Sequence, residues 1–476
     1  MNFKLVFKLA GKTLLVAAAC MVLPLLVTLL YREDPMPFLS AMGITALAGL
    51  LLSLLRADTR FNSREGFFSA GLIWLLVGFF GALPFQFSGY FPSFVDCLFE
   101  SISGFTTTGA SILTAVEPLP KGILFWRSFI HWLGGMGILV LTIALLPSLG
   151  ARTLHVMKAE SPGPIISKLV PKSSQSSKIL YGIYFALTVL EVVFLLLGGM
   201  PLFESLLTSF GTTGTGGFGF RNDSFASFSP AIQNTVTTFM ILSGINYTAY
   251  FYILTGKIKE LFKIEEVRWY LAIIFGSVAV ITWNVRSLYP TFSETLRHAF
   301  FQVGSIITTT GYATTDFDLW PALSKTLLVT LMFIGACAGS TGGGIKVSRI
   351  VIYMKSVKKE MAALIHPRSV KVTKLEGKVV DDTMLRSVFA FLSAYLVIFV
   401  ISLLVVSLDG FDLETNFSAV AATFNNIGPG LGAVGPVSNF SAYSVLSKIV
   451  LSLDMLIGRL EIFPILLLFA PSTWKK

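Results

Sequence analysis

The stretch TTTGYATTDF, Thr308 to Phe317, has the composition of a surface loop, yet the segments around it are strongly apolar. A related string, TTTGAS, begins at Thr106. Glycine reaches positive φ at little cost, so a single Thr-Gly string reads as an ordinary turn. Strings repeated about a hundred residues apart in an apolar chain need another explanation.

Hydrophobic residues fill 54% of the 476 positions, charged residues only 13%, and the mean hydropathy is +0.76. Soluble domains carry about 25% charged residues, so the composition indicates an integral membrane protein. A helix needs about 20 apolar residues to cross the hydrocarbon core. Ten stretches qualify, near residues 11–30, 38–55, 67–85, 123–147, 179–199, 230–255, 269–289, 323–353, 385–408 and 444–470. Lys4, Lys8 and Lys12 precede the first run, but no small-residue cleavage site follows it, so it is read as a retained helix. Cys20, Cys97 and Cys337 lack metal-ligand spacing, and so do His131, His155, His298 and His366.

A net charge of +10 could suggest nucleic acid, but the distribution of the charges argues for a membrane instead. Of the 36 Lys and Arg, 27 fall at the N-terminus, near 56–64, 152–178, 257–268 and 346–386, and at the C-terminus. These segments alternate with weakly basic ones, the pattern of the positive-inside rule. Both termini are therefore expected in the cytoplasm and the Thr-Gly strings on the outer side.

Between the long apolar runs lie shorter ones, 94–105, 202–212, 294–307 and 414–424, which are of re-entrant length. Each ends in a string rich in small residues: TTTGAS at Thr106, TGTGGF at Thr213, TTTGYA at Thr308 and NNIGPG at Asn425. Aligned on these ends, the fourth place holds Gly109, Gly216, Gly311 and Gly428. The second string offers a competing register at Thr212, Thr213 and Gly214, and the fourth has Asn-Asn-Ile where the others have Thr. This is a fourfold internal repeat of helix, re-entrant loop and helix.

Irregular backbone survives at membrane depth only inside protein or along a watery cavity. Four such segments around one axis meet that condition. Extended Thr-Gly backbone can aim carbonyl oxygens inward to replace a cation's hydration shell, and the C-terminal ends of the re-entrant helices add negative potential. The expected ligands are Thr107, Thr108, Gly109, Gly214, Thr215, Gly216, Thr309, Thr310, Gly311, Asn426, Ile427 and Gly428. None of the four strings carries a charge, which favours a large, easily dehydrated monovalent ion such as potassium.

The loops FESISGFTTTGAS (Phe99), TSFGTTGTGGFGF (Thr208), SIITTTGYATTDF (Ser305) and FNNIGPGLGAVGP (Phe424) resemble those of the Trk/Ktr/HKT superfamily of potassium transporters. The resemblance covers essentially the whole chain. The extra N-terminal pair of helices is similar to the TrkH and TrkG branch. In that family a Ser at the first-loop Gly is associated with sodium permeation, so Gly109 implies potassium selectivity.

Two further features lie inside apolar runs. GACAGSTGGGIK, with Gly335, Gly339, Gly342, Gly343 and Gly344, should break its helix at roughly 1 kcal/mol per Gly. It is not a phosphate-binding loop, because Ile345 separates Gly344 from Lys346 and no strand precedes it. Arg459, in LSLDMLIGRLEIFPILLLF, costs roughly 2.5 to 3.5 kcal/mol at mid-membrane and is a functional candidate by default. An ion pair with Asp454 or Glu461 is the structural alternative. The resemblance implies that the Gly-rich segment lies below the loops as a gate, with Arg459 opposing it at the pore.

The expected fold is an all-α polytopic membrane protein. Four helix–pore loop–helix repeats stand in pseudo-fourfold arrangement, with two extra N-terminal transmembrane helices. Expected boundaries are 1–60 for the extra pair and 61–155, 156–262, 263–375 and 376–476 for the repeats. The segment 346–386 carries ten basic residues, which reads either as positive-inside bias or as a docking surface. The resemblance implies a TrkA-like cytoplasmic regulatory ring with nucleotide-binding domains, a homodimer, and a bacterial inner membrane. No cofactor is expected on the chain, with potassium as substrate. An intramembrane protease would need paired Asp or a Ser/His pair at depth, which Asp454 and His131 do not supply. The nearer rival is a symporter coupling potassium to protons or sodium.

Overall fold

The computed structural model describes residues 1–56, 63–145, 173–261, 263–367 and 372–474. The basic segment 152–172, His155 and the terminal lysines lie outside the described residues. Among the described residues, six apolar helical spans are long enough to cross a membrane: Phe3–Leu30, Met36–Ser53, Arg64–Ser88, Ser177–Leu197, Glu265–Val285 and Asp382–Asp409. The first two form a hairpin packed through Gly11 and Gly49. A Cβ on Gly11 would come within 2.7 Å of the Gly49 carbonyl oxygen, so only glycine permits this approach. The other four are the leading helices of four repeats.

Each leading helix is followed by a re-entrant helix: Phe94–Phe105, Leu202–Thr213, Phe292–Ile307 and Leu413–Phe424. Ser93, Thr291 and Asp412 cap three of them by accepting from the backbone N–H three residues on. All four carry an acidic residue in the first turn, Asp96, Glu204, Glu294 and Glu414, where the helix dipole favours negative charge. Their opposite ends run into the four loops, whose backbone N–H groups take up last-turn carbonyls.

The second helix of every repeat is broken. The pairs are Lys121–Gly135 with Ile138–Leu145, Pro230–Ser243 with Tyr247–Leu254, Ala322–Ile334 with Val347–Ile365, and Val445–Arg459 with Phe463–Phe469. The Gly run accounts for the third break. The other three lie at Gly137 (φ 87°), at Gly244–Asn246, where Asn246 caps the next helix, and at Glu461–Ile462 (φ 56° and 71°) before Pro464. The freed groups satisfy one another: Cys337 N–H donates to Gly244 O (3.1 Å) and Tyr247 N–H to Gly339 O (3.0 Å).

Outward faces are apolar at helical spacing, as with Leu396, Val397, Val400, Ile401, Leu404 and Leu408, all more than half exposed. A polytopic bundle presents such faces to lipid. An unexpected element is a two-stranded hairpin, Lys374–Leu375 with Lys378–Val379. Its turn residues Glu376 and Gly377 both have positive φ (51° and 77°), as a tight two-residue hairpin turn requires.

Candidate functional site

The four loops meet as a closed ring. Each re-entrant helix ends at a cap residue, Thr106, Gly214, Thr308 or Asn425. The next residue takes left-handed backbone: Thr107 (55°), Thr215 (54°), Thr309 (60°) and Asn426 (57°). Two residues later comes a left-handed glycine: Gly109 (78°), Gly217 (82°), Gly311 (87°) and Gly428 (97°). Between them Thr108, Gly216, Thr310 and Ile427 each donate N–H to the carbonyl five residues back, at 2.8, 2.8, 2.8 and 2.9 Å. The same backbone course, left-handed on both sides of one residue, thus recurs in all four loops.

This geometry corrects the alignment of the second loop. Gly217 takes the fourth place, not Gly216, and Gly214 is a helix cap; the register at Thr212 and Thr213 lies within the re-entrant helix. The counterparts of Thr107, Thr108 and Gly109 in the second loop are therefore Thr215, Gly216 and Gly217. Contacts between loops fix the same register. A Cβ on Gly109 would strike the Gly216 carbonyl oxygen, one on Gly217 that of Thr310, one on Gly311 that of Ile427, and one on Gly428 would lie 2.9 Å from that of Thr108. The fourth-place glycine of each loop thus packs on the third-place carbonyl of the next, and the fourth returns to the first. One glycine from each loop, Gly109, Gly217, Gly311 and Gly428, lines a cavity of about 150 Å³.

Threonine hydroxyls brace the loops from behind. The Thr106 and Thr108 hydroxyls pair at 2.8 Å, as do those of Thr308 and Thr310. In the fourth loop Asn426 Nδ2 donates to Thr108 Oγ1 (2.9 Å) and to Met455 O (2.8 Å), joining it to the first. The loop threonines and asparagines are fully buried.

A buried ion pair that sequence reasoning missed holds the first two loops. Arg127 Nε donates to Glu100 Oε1 at 2.6 Å, and its other nitrogens reach Gly219 O (2.8 Å) and Ser111 Oγ (3.1 Å). The guanidinium lies 3.9 Å from the Phe218 ring centre, and Glu100 also accepts from Ile112 N–H (3.1 Å). His131 bonds through Nδ1 to Gly104 O (2.8 Å) and accepts from Phe218 N–H at Nε2 (3.1 Å), which defines a neutral ring. Both Glu100 and Arg127 stand in strongly apolar helices, the available signal that they are paired and buried.

The Gly-rich segment lies directly against the helix side of the ring. Gly335, Gly339 and Gly344 have φ of 71°, 71° and 76°. Gly343 N–H donates to Thr309 Oγ1 (2.6 Å), and a Cβ on Gly342 would meet Thr308 O at 2.9 Å. Lys346 donates to Gly342 O from within the segment. Arg459 reaches three elements: Thr341 O (2.8 Å), Thr107 Oγ1 (3.3 Å), and Gly134 O and Gly135 O (2.7 and 2.5 Å). Of the two carboxylates considered as its partners, Glu461 makes a two-pronged pair with Arg349 (2.6 and 3.1 Å) and Asp454 accepts from Ser402 (2.7 Å). The structure therefore brings Arg459, the Gly-rich segment and the loops into one constellation on the helix side of the ring.

Comparison with known proteins gives the same outline. The cation transport protein family TrkH matches residues 36–476. The chain is similar to the Trk system potassium uptake protein TrkH of Salmonella typhimurium, 38% identical over 100% of both chains. To TrkG of Escherichia coli K12 it is 32% identical, covering 100% of this chain and 99% of that one. The crystal structure of the potassium transporter TrkH from Vibrio parahaemolyticus matches with a TM-score of 0.89 at 35% identity, over 100% of both chains.

Proposed function

We propose, for a chain that belongs to the TrkH family of cation transport proteins, that it takes up potassium through one axial pathway selected by four loops. The observation that carries this reading is the closed ring of glycines and third-place carbonyls. Carbonyls of Thr108, Gly216, Thr310 and Ile427 replace water around a dehydrated ion, and rigid neighbours hold them at one spacing. Sodium, smaller and more strongly hydrated, recovers less of its hydration energy there.

The Gly-rich segment is the steric gate and Arg459 the electrostatic one. A guanidinium about 6 Å from a passing cation, at an effective dielectric near 20, adds a barrier of about 3 kcal/mol. Conduction then requires the segment to leave Thr309 and Arg459 to turn aside. The chain works in a bacterial inner membrane with both termini cytoplasmic, as a homodimer under a TrkA-like ring whose nucleotide-binding domains act on the gate. The charge distribution supports the orientation.

Coupled symport is the second reading. Glu191, in a spanning helix, is fully buried, and the Thr212 side chain is the hydrogen-bonding group that faces its carboxyl. Such a group is a candidate proton site. The two readings separate in proteoliposomes holding this chain alone. Rubidium uptake driven by an imposed potential, without a proton or sodium gradient, is expected from the passive pathway and should rise about tenfold or more in Arg459→Gln. Uptake that appears only with a proton gradient, and is lost in Glu191→Gln, would replace the passive reading with symport.

A further inference from the structure

Glu266 stands in the first turn of the helix Glu265–Val285, where an acidic residue ordinarily faces water and answers the helix dipole. Here it turns inward and is only 3% exposed. Its Oε1 accepts from Ala338 N–H at 2.7 Å and from Ser348 N–H at 3.0 Å. Ala338 stands just after the Gly-rich segment leaves its helix, and Ser348 just after it rejoins the next. One carboxylate oxygen therefore ties the two ends of the segment together.

The backbone already brings the two ends close. Ile345 N–H donates to Phe333 O and Lys346 N–H to Ile334 O, both at 3.0 Å, while the left-handed glycines Gly335, Gly339 and Gly344 lie within or beside the closed turn. The groups touching the ring and Arg459, namely Thr341, Gly342 and Gly343, lie between the tied ends. The neighbouring Glu265 faces elsewhere: it pairs with Lys355 at 2.6 Å and accepts from Glu376 N–H (3.4 Å) in the two-stranded hairpin. Adjacent carboxylates thus join the intramembrane segment and the hairpin to one helix start.

We propose that Glu266 is a positioning residue for gating, a clasp that holds both ends of the Gly-rich segment so that the part between them seats beneath the loops. The proposal rests on the reading of that segment as a gate. Without the acceptor oxygen, two buried N–H groups lose their partner and the ends part, so the seated position is populated less. Gln keeps one carbonyl oxygen at the same reach and should preserve the clasp, whereas Ala removes it.

The test is rubidium uptake under an imposed potential in proteoliposomes of the full chain, with sodium as competitor. Glu266→Ala is expected to raise basal uptake about tenfold, the scale of one lost hydrogen bond to a charged group, with preference over sodium unchanged. Glu266→Gln should stay near the parent. If the Ala variant does not purify as a folded protein, Glu266→Met keeps the volume of the stem without the acceptor and should behave as described for Ala. A merely structural role would lower uptake or selectivity instead, and either result overturns the clasp. Excising Ser340–Gly343 serves as reference. If the excision raises uptake and Glu266→Ala does not, the clasp is wrong and the gate stands; if neither does, both fall.

Discussion

Gly217 shows what a single residue decides in this protein. Its φ of 82° and its contact with the Thr310 carbonyl leave no room for a side chain, and the same holds for Gly109 and Gly311 on their neighbours. Left-handed backbone costs an L-residue about 1 to 2 kcal/mol before any contact is counted. Alanine at Gly109, Gly217 or Gly311 should therefore sharply reduce the preference for potassium over sodium in flux assays. Gly428→Ala should do least harm, because its neighbour stands off at 2.9 Å. An ordering in which Gly428→Ala is the most damaging would contradict the ring. The string TGTGG made the sequence ambiguous at this point, since Gly214 and Gly216 each follow a Thr, whereas Gly217 follows a Gly and carries no such signal. Only the backbone shows which glycine is left-handed and which carbonyl it faces. Arg459 was legible because a charge within an apolar run needs a reason; its acceptors, all backbone or hydroxyl oxygens among those observed, were not.

Elements were read more securely than residues where length and composition decide. The four re-entrant helices fall within about two residues of the apolar stretches that indicated them, because too few apolar residues to span a bilayer is a plain physical limit. The break at Gly335–Lys346 was legible from its glycines, whereas those at Gly137, Gly244–Asn246 and Glu461–Ile462 were not. Their local signals, one or two glycines, an Asn cap or a following Pro464, also occur in continuous helices, and the exchange of hydrogen bonds among breaks is visible only in three dimensions. The Arg127–Glu100 pair was hidden for the same reason, since its members are 27 residues apart on two helices. Removing one member of a buried pair strands the other and costs about 3 to 5 kcal/mol. Glu100→Ala is accordingly expected to lower the thermal unfolding midpoint in detergent and to reduce selectivity together, because Arg127 also holds Gly219 and Ser111. A variant that loses neither would show that the pair does not brace the loops.

At the scale of the whole molecule, four repeats of limited sequence likeness build one site that none of them contains alone. Each loop donates a glycine to one neighbour and a carbonyl to the other, so the ring exists only when all four are present. Outside it, broken helices exchange hydrogen bonds, and the outermost helices turn rows of Leu, Ile and Val outward as a lipid-facing surface. The fold class follows from hydropathy and repeat length; the closure of the ring follows from contacts between residues as far apart in sequence as Gly428 and Thr108. The most direct test of that closure is the structure of the purified chain with rubidium, recorded so that the ion's anomalous scattering is measured. A peak is expected on the axis among the carbonyls of Thr108, Gly216, Thr310 and Ile427, displaced by excess potassium and not by the same concentration of sodium. A peak held by side-chain carboxylates away from the ring, or none on the axis at saturating rubidium, would contradict that closure.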